Sequence, residues 1–309
     1  MRAHLIEDGG AAASDADQFF RSASFLEAEA VTHTLAIDSQ EELRLPVIVR
    51  EIEGTDKLDA ISPYGYPGAD RQPEEPPDPA RVEWSETGLV SVFIRDRIGE
   101  RSCFAGGTVR THVHVADGDD GVRKRLREQI RRNERRGWEV RQTRGCEVEM
   151  GRLRGFERAY GETMARAGAA ERYLHPTSYF ARLLLSERSW LLTAEREGEA
   201  LAGAIAVVSD GYLHYYLGGT ADDALGDSPM KNLFAAMIEL GGELGLPVNL
   251  GGGLSPGDSL DDFKRGFANA EAPWHTHEVI CDPAAYEELA AEAGPVPEGF
   301  FPAYRSLAS

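Results

Sequence analysis

The order in which strand-like and helix-like patterns follow one another limits the fold of this chain most. Two-residue alternation marks strands within 32–52 (THTLAI and LRLPVIVREI, joined by the polar turn DSQEE at 38–42) and at 89–98 and 108–115. Between them, 60–68 ends in turn residues, and the acidic, proline-rich stretch 70–80 reads as a surface loop. A four-residue spacing then takes over. Val122, Leu126 and Ile130 predict a helix over 121–137 that Gly137 ends. Helices follow at 152–167 (Leu153, Phe156, Tyr160, Met164) and at 177–187 (Phe180, Leu183, Leu184), with Thr177 as N-cap. Strands at 190–197 and 200–210, turning at Gly198, and at 212–220 lead into 227–245. There Met230, Leu233, Phe234, Met237 and Ile238 share one helical face; Ser228 suits the N-cap, Pro229 the first turn, and Gly245 and Pro247 the stop. A buried strand at 247–252 enters a run of glycines, and a last helix lies near 283–293.

The round of strands, helices, strands, helix and strand thus occurs roughly twice. The 309 residues are enough to bury two cores. The pattern predicts an α+β fold of two domains with a boundary near residue 148.

Charge narrows the partners. The net charge is −19, but residues 121–200 hold 18 Lys+Arg against 12 Asp+Glu, while 1–120 hold 11 against 24 and 201–309 hold 4 against 16. Wrapping a long duplex needs a broad basic surface, so DNA is not an expected partner; a local patch suits one end of an RNA. The patch centres on 123–136, with eight Lys+Arg and two Glu. Arg131, Arg132, Arg135 and Arg136 are its candidate RNA contacts, against the alternative of a merely solvated helix face. No apolar run reaches the ~18 residues of a membrane span. The first residues, MRAHLIEDGG, lack a signal-peptide core. Cys103, Cys146 and Cys281 are odd in number and far apart, which predicts neither a disulfide framework nor zinc spacing. A reducing cytoplasm is the expectation.

The most informative stretch is 258-DSLDDFKRGF-267, directly after 249-NLGGGLSPG-257. After Lys231, the chain holds only Lys264, Arg265 and Arg305 as cations. Read from its neighbours alone, Lys264 either pairs with Asp258, Asp261 or Asp262, or stands as an ammonium that Phe263 and Phe267 screen from water. A cation so placed stabilises a developing oxyanion. Gly251, Gly252 and Gly253 allow backbone to approach a ligand, or make a tight bend; they are not a P-loop, because no Gly-Lys-Ser/Thr follows. The helix start at Ser228 either receives a phosphate or is simply capped. The pairs 112-HVH-114 and 275-HTH-277 each face one side of a strand, but no third ligand has recognisable spacing, so no metal is expected.

Five stretches in this order, SPYGYPG (62–68), RRNERRGWEV (131–140), HYYLGGT (214–220), SPMKNL (228–233) and GGG…DSLDDFKRGF (251–267), resemble the FemXAB-like branch of the GNAT acyltransferase superfamily. The resemblance covers most of the chain. It implies two tandem GNAT-like domains with mixed sheets flanked by helices: 1–148, and 149–282 with the acyl-transfer site, with 283–309 packing back on the first. It implies transfer of an amino acid from aminoacyl-tRNA to an amine, either on a small peptide, as in peptidyl-nucleoside antibiotic assembly, or on a UDP- or lipid-linked peptidoglycan precursor. Phe263-Lys264 matches the pair at the family's acyl-transfer centre. Tyr64, Tyr66, Tyr216, Ser228, Gly251, Gly252 and Arg265 fall in the matching substrate-binding motifs. The tRNA 3′ end is the expected partner and co-substrate, and no cofactor is needed, since the ester is already activated. Residues 20–43 hold only Arg21 as a cation, which departs from members that hold a UDP-linked precursor with basic residues. The Q/R-x-x-G-x-G/A loop of CoA-dependent members is missing; 142-QTRGCE-147, 152-RLRGFE-157 and 158-RAYGET-163 all fail at the last position. A CoA-dependent N-acyltransferase and an inactive GNAT-like binding protein are the remaining alternatives.

Overall fold

A computed structural model describes residues 1–38, 42–253, 257–295, 297 and 300–306. In chain order the strands are β1 Ala3–Ile6, β2 His33–Ile37, β3 Leu43–Glu51, β4 Leu58–Ile61, β5 Leu89–Ile98, β6 Thr108–Ala116, β7 Glu139–Arg144, β8 Ser189–Arg196, β9 Glu199–Ser209, β10 Tyr212–Thr220, β11 Val248–Gly251 and β12 Ala270–Ile280. The helices are α1 Ala23–Ala28, α2 Lys124–Arg135, α3 Met150–Arg166, α4 Thr177–Leu183, α5 Met230–Leu244, α6 Ser259–Arg265 and α7 Pro283–Ala293. The fold is α+β with mixed sheets. Most of the turn expected at 38–42 lies outside the described residues. Among the described residues no helix is long and apolar enough to cross a membrane.

Two compact units emerge. Unit 1 comprises 1–16, 20–110 and 273–309, and unit 2 comprises 17–19 and 111–272. Residue 148 falls inside unit 2. The reason is pairing that sequence order hides: β6 pairs with β11 (Val248↔Ala116), and α2 is tied to α5 by Asn133 Nδ2 donating to Asn232 Oδ1 at 2.8 Å.

In unit 1 the strand order is β1-β2-β3-β4-β5-β12, antiparallel except for β4 beside β5. Leu35, Ile37, Leu45, Val47, Val92 and Ile94 build its core. Residues of α7, Ala285 and Leu289, pack with Ile52 and Val90. Arg305 and Tyr304 reach the buried carboxylate of Asp59 at 2.6 and 3.2 Å.

In unit 2 the order is β6-β11-β10-β9-β8-β7, antiparallel except that β10 and β11 run parallel. That parallel pairing spans two positions, Leu213↔Val248 and His214↔Asn249. On β9, Ala202, Ala204 and Ala206 pack into the α5 cluster, while the intervening Gly203 lies under Phe156 of α3. This alternation is the two-residue period of a strand buried on both faces. The α3 backbone approaches β10 so closely that a Cβ on Gly219 would sit 2.5 Å from Ala159 O.

Helix α5 buries its predicted stripe and ends at Gly245, whose left-handed φ of 67° suits glycine. Its start differs from expectation by about one residue: Pro229 occupies the cap position, and Ser228 has φ of 51°. Likewise Pro176, not Thr177, caps α4.

Candidate functional site

The stretch 258–265 is a helix, which its mixed polarity conceals. Asp258 caps α6, its carboxylate accepting from Asp261 N–H at 2.7 Å. The helical turn then separates the two adjacent cations. Arg265 points outward and pairs with Asp261, four residues back, while Lys264 turns inward and is 6% exposed. Phe267 meets Phe263 and Phe234 of α5 edge-on, and Phe263 meets Phe234 at a tilt, at 5.2–5.4 Å between ring centroids. Phe267 is fully buried and Phe263 half-buried.

Lys264 Nζ donates to Gly252 O at 2.7 Å and stands 5.4 Å from the ring centre of Tyr215. No ion pair joins it to a carboxylate among the described residues. Burial pulls its pKa down to about 8, opposed by the longer-range field of Asp258 and Asp261. An ammonium has three donors; among the described residues Gly252 takes one, which leaves two for a further acceptor.

The carbonyl that holds Lys264 is itself held. Gly251 turns with φ of 76°, a conformation that favours glycine, and its N–H donates to Asn249 Oδ1 at 2.8 Å. Asn249 Nδ2 lies 3.0 Å from His214 Nδ1, and His214 Nε2 lies 2.9 Å from Ser209 O. A carbonyl only accepts, so Nε2 carries the proton and Nδ1 accepts from Asn249. Burial lowers the His214 pKa to about 4, which keeps this ring neutral.

A second histidine flanks the same turn. His114 on β6 lies opposite Gly251 and is buried, with Nε2 2.7 Å from Asp261 Oδ1. That hydrogen bond is the main reason the Asp261 carboxyl sits below its ordinary range, with Arg265 adding to it.

Of the residues marked in the sequence, Lys264, Phe263, Gly251, Gly252 and Arg265 come together here. Tyr216 does not face this group. Its hydroxyl meets Tyr179 of α4 at 3.1 Å and its ring meets Phe19, while its neighbour Tyr215 lies beside Lys264. A register shift between Tyr215 and Leu217 marks the place. The N–H of Ser228 is occupied by Ala224 O and Leu225 O, at 3.2 and 3.1 Å. The carboxylate of Asp227, just before it, gathers Arg136, Arg196 and Trp138 Nε1. Tyr64 and Tyr66 belong to unit 1: Tyr64 is exposed, with its N–H on Glu29, and Tyr66 packs between Phe20 and Trp274. Tyr215, Asn249 and His214 were not marked in the sequence, while His114 was weighed only as a metal ligand and Asp261 only as a direct partner of Lys264. The polar strand residue Asn249, two positions before the glycine run, was the available signal.

Helix α2 turns Ile130 and Leu126 inward and exposes Arg131, Arg132, Arg135 and Arg136. Arg136 is paired with Asp227. Arg131, Arg132 and Arg135 have no ion-pair partner among the described residues. Lys231 on α5 feels this field: burial first, then Arg132 and Arg125, lower its pKa.

The nearest approaches to a CoA loop are not loops. Both 152–157 and 158–163 lie within α3, and 142–147 runs from β7 into a single 3-10 turn.

Residues 120–265 match the acetyltransferase (GNAT) domain family. The solved structure of FemX superposes with a TM-score of 0.56 at 11% identity, over 82% of this chain and 89% of that one. The C-terminal domain of a protein described as a lysylphosphatidylglycerol synthetase, from Agrobacterium fabrum, superposes with a TM-score of 0.55 at 14% identity, over 92% and 95%. No curated protein matches the chain by sequence. Residues 120–265 are thus similar to a GNAT acetyltransferase domain, within a chain whose fold is similar to that of FemX.

Proposed function

We propose that the protein is an aminoacyl-tRNA-dependent aminoacyltransferase that forms an amide on the amine of a small peptide-like acceptor, in natural-product assembly. The observation that carries this reading is Lys264: a buried ammonium, fixed by one backbone carbonyl, with two donors left over among the described residues. Attack of the amine on the ester carbonyl puts negative charge on oxygen. A positioned cation in a water-poor site stabilises that charge where it develops. The C–N bond forms and the bond to the ribose oxygen breaks. The amine proton leaves to solvent, and the ribose oxygen takes a proton from water. Lys264 remains an ammonium throughout. Phe263 and Phe267 anchor α6 on the core and so fix its position. The exposed arginines of α2 are the surface proposed for the phosphates near the tRNA 3′ end. Tyr64 and Tyr66 are proposed for the acceptor, and Gly251, Gly252 and Arg265 for the donor side.

The test is a donor comparison. The full chain is incubated with a panel of small peptide amines and charged tRNA, RNase-treated charged tRNA, or acetyl-CoA. Amide product with intact charged tRNA alone supports the proposal. Product with acetyl-CoA alone replaces it with CoA-dependent acyl transfer, and product with no donor leaves a binding role.

A further inference from the structure

The second His-x-His pair, 275–277, takes no part in the acyl-transfer reading, and in unit 1 it acquires the partners its spacing did not reveal. His277 on β12 pairs across the strands with Ile94, two residues before Asp96 on β5. The segment after β5 folds back over both. Cys103 N–H donates to Asp96 Oδ2 at 2.7 Å; Ser102 Oγ donates to the same oxygen at 2.9 Å and lies 2.9 Å from His277 Nε2. Asp96 Oδ2 and His277 Nε2 are 3.4 Å apart, and Cys103 Sγ lies within 4.8 Å of both ligand atoms. Asp96 and Cys103 are fully buried and His277 nearly so. A Cβ on Gly107 would sit 2.5 Å from His277 Cε1, so a glycine lets the chain close over the ring.

We propose that Asp96, Cys103 and His277 bind a zinc ion, with the Ser102 hydroxyl or a water as fourth ligand. Three arguments support it. The donor set is one sulfur, one nitrogen and one oxygen, which suits a borderline-soft cation and not magnesium or calcium. Tetrahedral bonds of about 2.0–2.1 Å set nitrogen and oxygen ligands about 3.4 Å apart, and the imidazole and carboxylate stand at that separation. Charge also balances: a thiolate, a carboxylate and a neutral imidazole together offset a divalent cation in a buried place.

The surroundings complete the site. Asp96 Oδ1 accepts from Arg97 N–H at 2.8 Å, which orients the carboxylate. The Phe104 ring, 5.2 Å from the His277 ring, walls one side. Ser102 also lines a surface cavity of about 460 Å³ with Glu74, Glu100 and Arg101. The Cys103 thiol has to give up its proton to bind the cation. On binding, the S–H bond breaks, the sulfur–metal bond forms and the proton leaves to solvent.

The test uses the full chain, stripped with a chelator and then dialysed against zinc or cobalt(II) chloride. One equivalent of zinc per chain by elemental analysis, and a thiolate-to-cobalt charge-transfer band in the near ultraviolet, are expected. Cys103→Ser and His277→Gln lose the equivalent and the band; Cys146→Ser, at the exposed cysteine, keeps both. Zinc retained equally by the Cys103 and His277 variants overturns the site, and so does a wild-type chain that retains none. Should those variants fail to fold, the wild-type cobalt spectrum decides alone: without the thiolate band, the proposal falls.

Discussion

Lys264 shows how a single side chain can be set by its neighbours on the helix and by one carbonyl across from it. If its charge does the chemistry, Lys264→Met, which keeps the stem and removes the ammonium, lowers kcat about 10²- to 10³-fold, the size of effect seen when one oxyanion donor is lost. Its melting temperature is expected to stay at or above that of wild type, because a desolvated charge is removed. The pH profile checks the same claim. The ammonium is the working form, so turnover falls as pH rises through about 8, and this alkaline limb is absent from the residual activity of the variant. In the sequence, the flanking phenylalanines made a screened lysine one of two open readings, and the structure buries it. Its true neighbours were hidden, because a register shift in β10 decides whether Tyr215 or Tyr216 faces it, and strand parity alone does not reveal a shift.

At the scale of elements, α5 was legible and α6 was not. A five-residue apolar stripe over fifteen residues leaves little doubt about its period; seven residues with four charges have no period to read. What starts α6 is local chemistry, the Asp258 carboxylate on the Asp261 amide. Asp258→Ala therefore costs about 1 kcal/mol of stability, read as a lower urea midpoint, and loosens the base of Lys264. For α2 the apolar stripe was legible, but not its docking partner, since the Asn133–Asn232 bond joins residues 99 positions apart. Reversing Arg131, Arg132 and Arg135 to Glu is expected to raise KM for charged tRNA and flatten its dependence on salt, with kcat little changed. Measurement of KM at several salt concentrations checks this.

For the molecule as a whole, the α+β class and most strand positions followed from periodicity, while the division into units did not. Strand β6 and helix α2 belong with elements more than a hundred residues later, and a linear pattern carries no such information. Folding stability should also record the neutral histidine at the centre of unit 2. His214 titrates near 6.5 unfolded and about 4 folded. The folded state thus binds fewer protons, and the resulting stability is complete above pH 6.5 and lost as pH falls toward 4, up to about 3 kcal/mol. Urea midpoints at pH 7 and pH 4.5 measure the loss, which His214→Gln removes.

The bond between Lys264 and Gly252 has one more consequence. Because its anchor is a neutral oxygen, the ammonium of Lys264 keeps its full charge and attracts small anions. If the proposed transfer is right, free carboxylic acids, including amino acids shed by spontaneous hydrolysis of the donor, are expected to compete with that donor and slow turnover.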